Sequence, residues 1–205
     1  MGDRRCALIA MSGVRIQNQA LRELGLTLPG FIERGQVIAS LPSLGLLTVA
    51  GATPPHWEVS YHEVDTLGGA ATEVAALKPD LVAISSLSAR ILDAYRLADQ
   101  LRAAGITVVI GGLHASVLPD EAAQHADAVV VGPGERVWPR ILADFEAGQL
   151  LARYVHRDHG PDDLSAVPIP RYDLLNPDRY NRITLHTHRG CPHDCTFCGA
   201  SRLIS

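Results

Sequence analysis

Leu81-Val82-Ala83-Ile84-Ser85-Ser86-Leu87-Ser88 and, one helical segment later, Ile106-Thr107-Val108-Val109-Ile110-Gly111-Gly112-Leu113-His114 decide the fold of this chain. Each stretch is a short apolar run that ends abruptly in small or polar residues. Between them Ile91, Tyr95, Leu97, Ala98 and Leu101 recur at helical spacing, and Gly105 supplies a stop. The same alternation extends outward. Arg5 to Met11 reads as a strand, Leu44 to Ala52 as a helix, and Trp57 to Val64 as a strand. Residues 70 to 78 form an Ala-rich helix before Pro79. A short helix from Pro119, a strand over Ala128 to Val131 and a helix through Phe145, closed by Gly148, complete the first 150 residues. Apolar strands separated by helices predict an α/β domain with a doubly wound parallel sheet, covered on both faces, over residues 1–150.

In such sheets ligands bind beyond the carboxyl ends of the strands. The loops there are Ser85-Ser86-Leu87-Ser88, Gly111-Gly112-Leu113-His114 and Gly132-Pro133-Gly134-Glu135. Tight strand-to-helix turns alone explain any one of them. Three together point to a rim for a large flat or phosphate-bearing ligand, because glycine lets a ligand approach the backbone. A dinucleotide is disfavoured: the first strand leads into Ser12-Gly13-Val14-Arg15 without G-x-G-x-x-G, and Gly132-Pro133-Gly134 lacks the third glycine.

The chain has 205 residues, 47% of them hydrophobic and 20% charged, which fits a folded domain plus part of another. A net charge of −4 gives no basic field for nucleic acid. No apolar run approaches the roughly 20 residues of a membrane span, and Cys6 to Met11 is too short for a signal-peptide core. The expectation is a cytoplasmic protein.

Residues 151–182 are rich in Pro, Asp and Arg and read as a linker. A strand expected over Ile183 to Thr187 then leads to Arg189-Gly190-Cys191-Pro192-His193-Asp194-Cys195-Thr196-Phe197-Cys198-Gly199. Three of the four cysteines fall within eight residues, which favours a metal site over disulfides. Structural zinc and electron-carrier clusters usually close their coordination with four protein ligands. Three cysteines on a 4Fe-4S cluster leave one iron open, a catalytic arrangement. A zinc site adding His186, His188 or His193 is the alternative on these residues. Cys6, alone in an apolar strand, reads as a core residue.

Cys-x3-Cys-x2-Cys with Phe197 before the third cysteine resembles the radical S-adenosylmethionine superfamily. The resemblance implies that Cys191, Cys195 and Cys198 hold a 4Fe-4S cluster whose open iron chelates S-adenosylmethionine, with Phe197 near the adenine. One electron from the reduced cluster would cleave the sulfonium to methionine and a 5′-deoxyadenosyl radical. A reducing donor such as flavodoxin or ferredoxin is then an expected partner, and a small molecule the expected substrate.

Pro42 to Leu47, Gly111 to Ser116 and Val131 to Glu135 resemble the cobalamin-binding domain of one branch of that superfamily. Of the broader pattern Asp-x-His-x-x-Gly, Ser-x-Leu, Gly-Gly, the second and third parts are Ser85-Ser86-Leu87 and Gly111-Gly112; the first is missing. The resemblance implies cobalamin held by Ser85, Ser86, Leu87, Gly111, Gly112, His114, Gly132, Gly134 and Glu135, without a histidine offered to cobalt by that motif. Methyl transfer to an unreactive centre is the implied activity; a cobalamin module without catalysis of its own, or a zinc-stabilised interaction module, are the other readings. Residues 183–205 would begin a catalytic barrel that needs on the order of 200 further residues, so the chain is expected to be an N-terminal fragment.

Overall fold

The computed structural model describes residues 4–11, 41–156, 164–176, 180, 184–187, 189, 193 and 195–197. Its centre is a six-stranded, all-parallel sheet of β1 (Arg4–Met11), β2 (Trp57–Glu63), β3 (Leu81–Ser86), β4 (Thr107–Gly111), β5 (Ala128–Val131) and β6 (Arg153–Val155), in the order β2-β1-β3-β4-β5-β6. The order reverses between β1 and β3. That reversal is the topological switch point of a doubly wound sheet, where the loops on either side of β1 and β3 leave in opposite directions and open a crevice.

The continuous apolar runs are explained by burial on both faces. Strand residues point alternately to opposite sides. Ala7, Ile9, Met11, Val82, Ile84, Val108, Ile110 and Val129 face a layer built by α2 (Ala70–Ala76), α3 (Ile91–Ala103), α4 (Leu113–Val117) and α5 (Pro119–Ala122). Cys6, Leu8, Ala10, Leu81, Ala83, Val109, Ala128 and Val130 face α1 (Leu44–Gly51) and α6 (Gly134–Glu146). In α3 the buried residues are Ile91, Ala94, Tyr95, Leu97, Ala98 and Leu101, one helical stripe, as the spacing predicts.

Helix α1 is apolar on every side, and a helix of that kind must be covered all round. Ser43 caps it, its Oγ accepting from the Leu46 N–H at 3.5 Å. One side packs on the sheet; the outer side is covered by residues 168–174. The Arg171 N–H donates to the Leu47 carbonyl at 3.0 Å, the Ile169 carbonyl lies against the Cα of Gly51 where a β carbon would collide, and Leu174 joins the core.

Three features of residues 150–187 differ from the sequence reading. The sheet runs on to Val155, because β6 pairs in parallel with β5 through Val129–Arg153, Val130–Tyr154 and Val131–Val155. Residues 168–174, within the expected linker, pack against α1. The described residues 184–187 form no strand: Leu185 and His186 are exposed, and the Thr184 carbonyl accepts from Tyr172 Oη at 2.8 Å. No strand among the described residues pairs with them. No helix of the described residues is long and apolar enough to cross a membrane.

Candidate functional site at the carboxyl edge of the sheet

The carboxyl ends of β1, β3, β4 and β5 bring the three small-residue loops side by side. At the switch point Ser86 is buried, its Oγ donating within reach of the Met11 carbonyl at 3.3 Å and the Leu87 carbonyl at 3.0 Å. This fixes the turn after β3 and leaves the Leu87 side chain 44% exposed beside it. Gly111 ends β4, and Gly112 turns the chain into α4 with φ at +96°, a conformation that L side chains rarely adopt.

Ser116 connects the second loop to the third. Its Oγ donates to the Gly112 carbonyl at 2.9 Å and accepts from the Gly132 N–H at 3.0 Å. Gly132 also has a positive φ, +90°, and the His156 carbonyl occupies the place its β carbon would take. The sequence reading left Ser116 out of the site; its position four residues after Gly112, where a helical Ser reaches back to a carbonyl, is the signal that would have marked it.

His114 holds the rim between α3 and α5. Nδ1 is 3.0 Å from Ser88 Oγ and Nε2 is 3.3 Å from Glu121 Oε1, so both ring nitrogens are engaged within the protein. Leu113 beside it is exposed, as is Val117. The edge therefore offers hydroxyls, free-running backbone and exposed apolar side chains over a short span.

Gly134 and Glu135 begin α6. Glu135 stands in the first turn of this helix, where a carboxylate is favoured by the dipole. The structure adds a specific partner: Arg189 Nη1 is 2.5 Å from Glu135 Oε1, with only 10% and 5% of the two side chains exposed. Arg189 stands two residues before Cys191, so the chain is held at this edge just ahead of the cysteines. Arg189 too was missed as a site residue, although it directly precedes the motif glycine.

Within the cysteine loop, Cys195 is a half-buried free thiol and Phe197 is 91% exposed. Cys191 and Cys198 lie outside the described residues. His186 and His193 are exposed, and among the described residues no three His, Cys, Asp or Glu side chains stand close enough to hold a metal ion. His188 lies outside the described residues as well. Cys6 is fully buried and burial pushes its thiol pKa far up, in keeping with a core role.

An all-parallel doubly wound sheet whose small-residue loops converge at its switch point defines a cofactor-binding α/β domain. The chain belongs to the B12 binding domain family, whose model matches residues 35–142. Among curated proteins it is similar to a bacteriochlorophyllide d C-8(2)-methyltransferase of Chlorobaculum tepidum, 37% identical over 126 residues, covering 58% of this chain and 28% of that protein. A bacteriochlorophyllide d C-12(1)-methyltransferase of the same organism is 30% identical over 162 residues, covering 78% and 35%. A hopanoid C-2 methylase of Rhodopseudomonas palustris is 27% identical over 173 residues, covering 79% and 31%. The chain thus spans about a third of the length of these relatives.

Proposed function

We propose that this chain binds cobalamin at the carboxyl edge of its sheet and a 4Fe-4S cluster through Cys191, Cys195 and Cys198, as part of a radical S-adenosylmethionine enzyme that transfers a methyl group to a small molecule. In this reading residues 1–150, extended by β6, form the cobalamin domain, residues up to 182 connect it, and residues 183–205 carry the cluster loop. The observation that carries it is the contact of Arg189, two residues before Cys191, with Glu135 at the edge where the loops of Ser85, Gly112 and Gly132 come together.

The described residues at the edge fit a corrin, and Cys195 supports the cluster reading. A corrin has a broad apolar face and a fringe of amides. Exposed Leu87 and Leu113 lie next to the backbone of Gly111 and Gly112, where such a face and fringe are both served. Ser85 and Ser86 are on the β3 loop and Gly132, Gly134 and Glu135 on the β5 loop, flanking the same edge. His114, with both nitrogens engaged, would form a wall of the site. Cys195, a free thiol with partial exposure, suits a thiolate ligand, and exposed Phe197 is free to cover an adenine. Cobalamin supplies a methyl carrier, and the cluster supplies the electron that cleaves S-adenosylmethionine. The protein's own share is to orient both groups and exclude water between them. A flavodoxin- or ferredoxin-type donor would deliver the electron. The names of the relatives, two methyltransferases and a methylase, favour methyl transfer over other radical reactions.

Anaerobic reconstitution with iron and sulfide, followed by titration with cobalamin, tests the reading. A broad absorption near about 400 nm, the mark of a cysteine-ligated cluster, should form and be lost in the triple Cys→Ala variant. Hydroxocobalamin should change its spectrum on binding. Stoichiometric zinc retained through anaerobic purification, with no iron taken up, overturns the cluster. An unchanged corrin spectrum with no co-elution overturns the cobalamin site.

A further inference from the structure

The Glu135–Arg189 contact joins two segments 54 residues apart in sequence, one at the expected cobalamin edge and the other just ahead of the cysteines. Its burial makes it more than a surface pair. Exposed ion pairs contribute little, but a desolvated one behaves differently: removing one partner strands the other charge in a poor solvent. Arg189 brings a guanidinium, whose rigid fork suits a carboxylate and cannot escape by losing its proton.

The surroundings show what the pair fixes. Glu135 is on the first turn of α6, whose Trp138, Ile141 and Leu142 are locked in the core. Trp138 Nε1 donates to Thr53 Oγ1 at 2.8 Å just past α1, so this end of α6 is anchored from both sides. Upstream of Arg189, the chain is attached to α1 through Arg171 and to residue 184 through Tyr172. Beyond Thr184, the side chains of Leu185, His186 and Thr187 are exposed. Arg189 is therefore the last described anchor before the cysteines, and its fixed partner is the loop that follows β5.

We propose that Glu135 and Arg189 act as a latch: they are positioning residues that hold the chain, two residues before Cys191, at the sheet edge bearing the loops of Ser85, Gly112 and Gly132. The latch would fix the point from which the cysteine motif leaves the sheet edge. The inference rests on reading residues 191–198 as a cluster loop and the sheet edge as a cobalamin site.

The test is hydrogen exchange of the metal-free full chain, read in the peptide spanning residues 184–198 and in the β3 and β4 peptides. Glu135→Gln keeps shape and removes charge, so it should speed exchange of the loop peptide by about tenfold, since weakening a desolvated ion pair loosens the segment it holds. Arg189→Gln should do the same, and E135R/R189E together should recover slow exchange. The β3 and β4 peptides should not change, which separates a latch from a general loss of stability. A second readout is iron taken up on anaerobic reconstitution, which should fall in each single variant and recover in the double. Loop exchange unchanged in both single variants, equal acceleration throughout the sheet, or a double variant no better than the singles would each overturn the latch. The exchange experiment needs no cofactor. Wild-type chain that holds neither iron nor cobalamin sinks the functional reading instead, so the two failures are distinguishable.

Discussion

Ser85 fills the space that a side chain at position 112 would need: a β carbon on Gly112 would stand 2.8 Å from Ser85 Oγ. The two residues end adjacent strands, so their contact closes the seam between the first two loops of the rim. Gly112 is also at φ +96°, which permits that approach only for glycine.

Gly112→Ala is therefore expected to destabilise the chain by about 1–3 kcal/mol, the cost of holding an L residue in that region, and to loosen the rim. Adding Ser85→Gly relieves the collision but leaves the backbone strain, so the double variant should recover only part of the loss. Urea unfolding of wild type, G112A and S85G/G112A measures both terms. Full recovery would show that crowding, not the backbone, makes the glycine necessary.

The cysteines should separate by reactivity. Cys6 lies in the core of β1, and burial raises its thiol far above its ordinary value; Cys195 is partly exposed. The thiolate is the reacting form. In the metal-free native chain at pH 8, iodoacetamide should label Cys195 within minutes and spare Cys6 until denaturant is added. Peptide mass mapping reads this directly. Early labelling of Cys6 would mean that β1 opens on its own.

The sheet core was legible because its strands are buried on both faces and each ends in a small-residue loop; periodicity and turn residues carry that information locally. Strand β6 was not legible. It has three residues, Arg153 and Val155 are exposed, and only Tyr154 is buried. Its crossover through α6 also runs on the opposite face from α3 while adding in the same direction across the sheet. That crossover is opposite in hand to β3–α3–β4, against the usual preference. The strand expected over 183–187 failed for a related reason. Alternation there resembles a strand, but hydrogen bonding needs a neighbour, and no described strand is adjacent. At the site, glycines and serines could be named from their spacing. The partnership of Glu135 with Arg189, 54 residues away, depends on how the chain returns across α1, which no local pattern encodes.

Acid should weaken the join between the start of β2 and the end of α6. Glu146 Oε1 lies 2.8 Å from His56 Nε2 and accepts from Trp57 Nε1 at 2.7 Å. The hydrogen bond with His56, aided by that from Trp57, lowers the Glu146 pKa in the folded chain. A depressed folded value means that this contribution is complete above the unfolded value near 4.5 and is lost as pH falls through the lower folded one. Wild-type stability should decline over that window more steeply than that of Glu146→Gln. Trp57 fluorescence followed through acid titrations of both proteins reads it, and identical acid limbs would show that the contact contributes nothing.

Leu87 provides the sharpest single test of where a corrin would rest. Its backbone is held by the Ser86 hydroxyl, while its side chain stays 44% exposed at the edge. Nothing in the fold needs that exposure to be apolar, so Leu87→Asp should change stability by no more than about 0.5 kcal/mol, the ordinary range for a surface substitution. Covering a leucine with an apolar face is worth about 1.5–3 kcal/mol. Replacing it by a carboxylate forfeits that gain and adds the cost of desolvating a charge. Cobalamin affinity should then fall by at least about tenfold, since every 1.4 kcal/mol is a factor of ten. Leu151, 44% exposed ahead of the amino end of β6, is the control: Leu151→Asp makes the same chemical change at the opposite edge of the sheet and should leave affinity alone. Equal losses in the two variants would place the effect in general surface charge. A loss confined to Leu87→Asp would place the corrin over the β3 loop.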